Sequence, residues 1–430
     1  MNPVSFRWSS KQRGATAKGF PLSHTLTRRS GESQEEGAVL SAFASKNDGV
    51  VTFRGVDCLR IYVYENKFPP QEAEMTIAHI NRIATAVPQH DVHHAFIDFA
   101  TGLLAEGTMR NLFRRMARLC AIEHRYSFVQ PVSTESGIWK DVEEVYVPGD
   151  FPVTARRMQF FERFAPKLAQ SALDKLALTE EERRSVTHVI VTSCTGLYAP
   201  GLDFEVVRHL GLNPSVERTM IGFMGCYAAI NALKSAHHIV RSEPGAKVLV
   251  MNLELCSLHF QETTELEQVL SFLVFADGCA ASLVSAEEHG LAIDSFLAVN
   301  IPETSHLITW RIGELGFDMH LSGQVPSEIG RALKEMGSQV TRGRDLAAVD
   351  LWAVHPGGRS ILDSVEKGLE LPADALASSR SVLAQYGNMS SATVMFVLQK
   401  LMQEAQSGQN GCAMSFGPGL TAETMLFHAA

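Results

Sequence analysis

Short apolar runs alternate with helical stripes in this chain, and its reactive residues fall where one gives way to the other. Residues 219–224 read as a buried strand. From 226 to 240 the rhythm becomes helical, with Ile230, Leu233, His237 and Val240 on one stripe. Glu243-Pro244-Gly245 is a turn, and 247–254 reads as the next strand. This is a βαβ unit with Cys226 at the start of its helix. The pattern returns later: 350–354 reads as a strand running into His355, Pro356-Gly357-Gly358 as a turn, and 361–369 as a helix. Gly387-Asn388 precedes a helix over 392–406, with Met395, Phe396, Leu398, Leu401 and Met402 apolar. The order strand, reactive turn, helix, strand occurs twice, without a fixed-period repeat. The division falls at 285–290, between a strand over 280–284 and one starting at Leu291.

Each turn presents one reactive group: the thiol of Cys226, the imidazole of His355, the carboxamide of Asn388. Taken singly, Cys226 reads as a core cysteine, His355 as a structural strand-end histidine and Asn388 as a turn residue. Together they read as chemistry. A thiol with an imidazole is a nucleophile set, and a helix N-terminus and a nearby cationic His both favour thiolate. Ester cleavage does not need the Asn. It suits an enzyme that holds a carbonyl oxygen while a carbanion forms, which sets this reading apart from a Cys-His thioester hydrolase.

From about Val51 onward the chain resembles the type III polyketide synthases, whose plant members include chalcone synthase. The landmarks are Ser193-Cys194-Thr195-Gly196, Gly225-Cys226, Phe275-Ala276-Asp277-Gly278, His355-Pro356-Gly357-Gly358, Tyr386-Gly387-Asn388-Met389-Ser390-Ser391-Ala392 and Phe416-Gly417-Pro418-Gly419-Leu420-Thr421. The resemblance implies an α/β, thiolase-like fold with αβαβα layers from two similar halves. It implies an extension over 1–50, a half over 51–287 with the nucleophilic Cys, and a half over 288–430 with His and Asn. It also implies a homodimer and iterative decarboxylative condensation of malonyl-CoA onto an acyl-CoA or carrier-bound starter, with no cofactor and no metal. Cys226 would take the starter as a thioester, and His355 would pair with its thiolate at rest. His355 and Asn388 would then donate to the malonyl thioester oxygen as it becomes an enolate. Fixed donors of this kind are worth about 10²–10³ in rate each. Phe275 matches the family's gate, an apolar ring that excludes water beside the malonyl carboxylate.

The resemblance also implies a pocket lined by Cys194, Thr195, Glu254, Cys256, His259, Trp310, Met319, Ser390, Gly417 and Pro418. Cys194 and Cys256 stand where plant enzymes have Thr, and some bacterial members, the tetrahydroxynaphthalene synthases among them, have Cys. Trp310 replaces a plant Gly and narrows that side, unless it is simply core. The segment 217–243, with Gly222-Phe223-Met224-Gly225-Cys226-Tyr227-Ala228-Ala229 in it, looks bacterial and most resembles synthases that extend fatty acyl starters to alkylpyrones or alkylresorcinols. The alternative is a malonyl-primed synthase of a small hydroxylated aromatic such as tetrahydroxynaphthalene. For the CoA phosphates, Arg115 matches a family arginine within a basic helix-like stretch over 108–126. Leu112 and Leu119 replace two family lysines, so the phosphate contacts differ.

Composition narrows the setting. The chain has 430 residues, enough for two fused α/β halves, and a net charge of −9 that argues against nucleic-acid binding. Its seven cysteines are scattered without a Cys-x-x-Cys pair, which fits reduced thiols in the cytoplasm and no zinc site. No apolar run reaches the length of a membrane span. Residues 1–31 contain six basic residues and no acid, and they read as a flexible polar tail with a transit-peptide-like composition.

Overall fold

The structure, a computed structural model, describes residues 76–133 and 139–430, with four short strand segments nearer the N-terminus. Those segments form a unit of their own, in which Leu22–Thr27 pairs antiparallel with Gly37–Ala42 and Val50–Val51 with Ile61–Tyr62. The expected extension over 1–50 otherwise lies outside the described residues.

The main body is built on a nine-stranded mixed sheet. Its strands are β1 (His79–Ala86), β2 (His188–Ser193), β3 (Glu217–Gly222), β4 (Val248–Leu255), β5 (Asp277–Ser285), β6 (Leu291–Asn300), β9 (Leu351–Val354), β10 (Asn410–Gly417) and β11 (Thr421–Ala429). A separate hairpin joins β7 (Ile308–Gly313) to β8 (Gly316–Leu321). The helices that matter here are α1 (His93–Leu103), α2 (Thr108–Leu119), α3 (Thr154–Leu176), α4 (Ala228–Ser242), α5 (Leu266–Val274), α6 (Val325–Val340), α7 (Arg359–Gly368), α8 (Ala377–Tyr386) and α9 (Thr393–Glu404).

The sheet order is β3-β2-β4-β5-β1-β6-β11-β10-β9. It has two arms, joined only where Leu291 and Ala292 of β6 face Ile80 and His79 of β1. Strand alternation then dictates the layers, because successive side chains leave a strand on opposite faces. Ile190 of β2 and Val250 of β4 pack inward with α4 and α9, and so do Ala353, Ala413 and Met425 of the other arm. The alternate residues Val189, Val191, Leu249 and Met251 face out and are covered by Phe161, Leu168 and Leu173 of α3. On the far side Trp352, Val354, Cys412 and Met414 are covered by α6 and α7 through Ile329, Leu333, Leu362 and Val365. The order is helix, sheet, paired helices, sheet, helix, which is the expected αβαβα layering.

Two local expectations change. The strand expected to be buried over 219–224 spans Glu217–Gly222 and is largely exposed, because β3 ends the sheet and pairs on one side only among the described residues. The basic stretch over 108–126 is not one helix: α2 stops at Leu119, and Ala121 adopts a left-handed φ of 59°.

Candidate active site

All three reactive turns open onto one cavity of about 610 Å³. The first follows β3. Phe223 and Gly225 take positive φ, and a Cβ on Gly225 would stand 2.2 Å from Pro418 Cδ, so the turn has room only for glycine there. Cys226 sits in the single 3₁₀ turn Gly225–Tyr227 that leads into α4. The Gly225 amide donates to Cys194 Sγ at 2.9 Å, which ties the Cys226 turn to the neighbouring loop.

His355 ends β9, with its amide bonded to Met414 O at 2.7 Å. Its ring is buried, and neither ring nitrogen has a hydrogen-bond partner among the described residues. Buried imidazole nitrogens are normally paired, so a ring left open in a cavity wall is available to something that enters.

Asn388 follows α8 and Gly387, whose φ is +67°. Its main chain forms a parallel bridge with Phe275: Asn388 N donates to Val274 O and Ala276 N to Asn388 O, each at 2.8 Å. The carboxamide donates to Gly357 O at 3.2 Å and accepts from the Ser390 amide at 2.8 Å. The main chains of Phe275 and Asn388 are thus held side by side by backbone bonds.

Burial sets the electrostatics. It pushes the Cys226 thiol up to about 12, against hydrogen bonds from Ser390 and Asn388 that favour the thiolate. It pulls the His355 imidazole down to about 3. The help expected from the helix N-terminus is therefore outweighed, since removing a lone charge from water costs more than a helix end returns. Neither group ionises alone here. An ion pair between them requires both charges to form together, with a proton passed from Sγ to the ring.

The expected pocket residues divide. Cys194, Thr195, Cys256, Trp310, Met319, Ser390, Gly417 and Pro418 line the cavity, as does Phe275. Glu254 and His259 do not; both lie behind its wall. The Cys194–Thr195 loop covers Glu254, whose carboxylate accepts from Cys194 N and Thr195 Oγ1 at 2.9 Å and from Ser391 Oγ at 2.6 Å. Burial raises that carboxyl to about 7. His259 donates through Nε2 to Thr195 O at 2.6 Å and accepts at Nδ1 from Phe317 N at 3.1 Å. These partners fix its neutral tautomer. It stacks on Phe317 with centroids 4.2 Å apart and meets Trp310 edge-on, so it backs the wall rather than forming it. Trp310 is no plain core residue: it faces Met319 across the β7–β8 hairpin and donates from Nε1 to Cys194 O at 2.7 Å.

Arg115 is exposed on α2, one residue before Met116 at the cavity's edge. Arg125, which falls in the same basic stretch over 108–126, is instead buried against the Phe275 main chain. It donates from Nη1 to Phe275 O at 2.6 Å and Phe272 O at 2.9 Å, and from Nε to His93 Nδ1 at 3.0 Å. Nothing in the run of arginines marked it out; only the early end of α2 separates it from the others. The apolar lining from Leu270, Val274, Ile308, Leu321 and Val325 also went unforeseen, because these residues read as ordinary core.

Comparison with known proteins agrees with this geometry. Residues 71–288 match the N-terminal domain of chalcone and stilbene synthases, and 292–430 match the C-terminal domain. The alpha-pyrone synthesis polyketide synthase-like Pks18 of Mycobacterium tuberculosis is 31% identical over 373 residues, covering 83% of this chain and 93% of that protein. Bisdemethoxycurcumin synthase of Oryza sativa subsp. japonica is 35% identical over 347 residues, 75% of this chain and 84% of the relative. Among solved structures, PKS-I of the brown alga Ectocarpus siliculosus superposes with a TM-score of 0.72 at 29% identity, covering 84% of this chain and all of that one. The 1,3,6,8-tetrahydroxynaphthalene synthase of Streptomyces coelicolor A3(2), a bacterial type III polyketide synthase, gives 0.71 at 27% identity, covering 82% and 99%.

Proposed function

The chain belongs to the chalcone and stilbene synthase family and is a type III polyketide synthase, and from that premise we propose that it extends a fatty acyl-CoA starter with malonyl-CoA and closes the product to an alkylpyrone or alkylresorcinol. One observation carries the choice of starter. The cavity wall is predominantly apolar, with Leu270, Val274, Ile308, Leu321 and Val325 in it, the kind of lining that an alkyl chain fills. The likeness to a protein named for alpha-pyrone synthesis supports the product class.

In this reading, Cys226 attacks the starter thioester and CoA leaves. His355 holds the proton from Sγ and then, with Asn388, donates toward the malonyl thioester oxygen. Carbon dioxide leaves beside the Phe275 ring, and the enolate carbon attacks the acyl group on Cys226. The ring of His355, whose nitrogens have no partner among the described residues, and Nδ2 of Asn388, whose bond to Gly357 O is 3.2 Å long while the Ser390 amide holds the carboxamide oxygen, are donors open to that oxygen. Arg115, exposed beside the mouth, binds a CoA phosphate. Residues 51–287 supply the nucleophile and gate, and 288–430 the two donors.

We propose a cytoplasmic homodimer. No described helix is long and apolar enough to cross a membrane. Leu197, Phe204 and Met220 are exposed along the β3 edge, the kind of surface that a second copy covers. A second reading rests on the thiols: Cys194 and Cys256 line the cavity with Cys226, as the sequence likeness to tetrahydroxynaphthalene synthases anticipates. One experiment separates the two. The pure protein is incubated with malonyl-CoA and acyl-CoAs of two to sixteen carbons, and the products are identified by mass. Pyrones or resorcinols that keep the starter's tail support the first reading; a single aromatic product made from malonyl-CoA alone supports the second.

A further inference from the structure

A second cavity, of about 90 Å³, adjoins the first across Phe272 and Phe275, which line both. Phe96, Phe99, Phe260 and Val129 make most of the remaining wall apolar. Its polar side chains are paired, with one exception. Ser127 Oγ bonds Ser257 Oγ at 2.7 Å, Tyr146 donates its hydroxyl to Ser257 O, and Asp141 accepts from the Val145 and Tyr146 amides at 2.9 Å. The exception is Arg125, only 2% exposed, whose Nη2 has no partner among the described residues. Its other two nitrogens hold Phe272 O, Phe275 O and His93 Nδ1. Buried donors are normally satisfied, so an open one in a cavity wall marks a place for an acceptor.

We infer that this second cavity receives the carbon dioxide that leaves the malonyl group, one oxygen accepting from Arg125 Nη2. The role rests on decarboxylation beside Phe275, the reading proposed for the reaction cavity. There the bond to the carboxylate breaks, its electron pair passes into the thioester enolate, and carbon dioxide departs neutral. Neutrality matters. Asp141 stands in the wall, Asp91 takes the Arg125 main-chain amide at 3.2 Å, and Asp277 lies near enough to favour the guanidinium charge. Three carboxyl groups around one cation disfavour a further anion. An aromatic wall with one free donor suits a small apolar molecule that carries acceptor oxygens. The volume is several times the roughly 10–15 Å³ that one water requires, enough for three atoms in a row. The substrate's own CoA arm fills the mouth of the reaction cavity, so the gas forms behind its carrier. Across Phe275 it finds a chamber bounded by the α1 face, where Val92, Ala95, Phe96 and Phe99 are part-exposed and lead outward. Carbon dioxide held there cannot return to the enolate and re-form the broken bond.

The test uses the full chain in two assays. Crystals pressurised with carbon dioxide should show it in the second cavity, within hydrogen-bond distance of Arg125 Nη2; a cavity holding only water overturns the inference. Ala95→Phe and Val129→Phe each bring a ring into the cavity from a part-exposed position, away from the residues that touch substrate. In both variants acyl loading of Cys226 should be unchanged, and carbon dioxide release from malonyl-CoA should fall a few-fold. The carbon-13 isotope effect on that release should shrink toward unity, because gas that cannot leave returns to the enolate. A substitution that merely distorts the site slows bond cleavage itself and preserves or enlarges the isotope effect. An unchanged or larger effect in both variants therefore overturns the inference. Wild-type protein that loads Cys226 yet releases no carbon dioxide from malonyl-CoA overturns the premise, and the role with it. The pressurised crystals keep that failure apart from a failure of the cavity.

Discussion

Replacing Asn388 with Ala deletes a carboxamide without disturbing the frame that holds it. The bridge to Phe275 is made by main-chain atoms at 2.8 Å, so Phe275 stays in register. Two side-chain bonds are lost, one to Gly357 O and one from the Ser390 amide. The Ser390 amide is buried and loses its acceptor, which costs about 1–3 kcal/mol, or a fall in Tm of roughly 1–3 °C for a chain of this size. The chemical loss should be larger. Removing one fixed donor to a developing enolate lowers decarboxylation by about 10²–10³. Loading of Cys226 should suffer less. The carboxamide is one of several groups favouring the thiolate, and Ser390 contributes more. One such bond to a charged group is worth about 1.5–3 kcal/mol, and the lesser contributor should stand at the lower end, roughly tenfold. The assay runs both steps on one preparation: intact-protein mass for the acyl adduct on Cys226, and labelled carbon dioxide from malonyl-CoA. If the two steps fall by the same factor while Tm is within the expected range, Asn388 is not an enolate donor.

Three further outcomes follow from the geometry. Cys226→Ala should abolish the acyl adduct, whereas Cys194→Ala should retain it at a reduced rate, because Cys194 only accepts from the Gly225 amide; a stable adduct on Cys194 alone would reverse the assignment. His355→Gln should slow iodoacetamide alkylation of Cys226 at pH 7 by about tenfold or more. Burial alone holds the thiol near 12, so without the imidazolium the thiolate fraction should climb steadily with pH through pH 9 and show no plateau; equal rates in variant and wild type would exclude the ion pair. Trp310→Gly should shift products toward longer starters or more extensions, with loading retained, because the indole forms cavity wall and holds Cys194 O; a folded variant with an unchanged product profile would refute this.

The legible part of the site was the part written locally. Glycine and proline punctuate the turns at Cys226, His355 and Asn388, and strand-to-helix changes of rhythm flank the first two, so position and chemistry could be read from adjacent residues. The wall was harder. The family resemblance put Glu254, Cys256 and His259 in one lining, but the strand gives way to a 3₁₀ turn over Cys256–His259. The loop holding Cys194 and Thr195 then closes over Glu254, a long-range contact with no local signal. Arg125 illustrates the same limit: it sits six residues beyond the end of α2 and is bonded to carbonyls roughly 150 positions away. The exposed β3 was misread because apolar composition does not say whether a strand lies at the centre or the end of a sheet.

The Phe275–Asn388 bridge has a practical consequence for anyone redesigning the enzyme. Phe275 and Asn388 lie far apart in the chain, yet their spacing is held by amide and carbonyl groups that every residue except proline carries. A combinatorial library could therefore vary both side chains at once without moving either Cα, and each clone would report on side-chain chemistry alone. The Trp310–Met319 pair offers the opposite handle, because there the side chains themselves form the wall. Reaction type and product size are thereby open to independent screening in one scaffold.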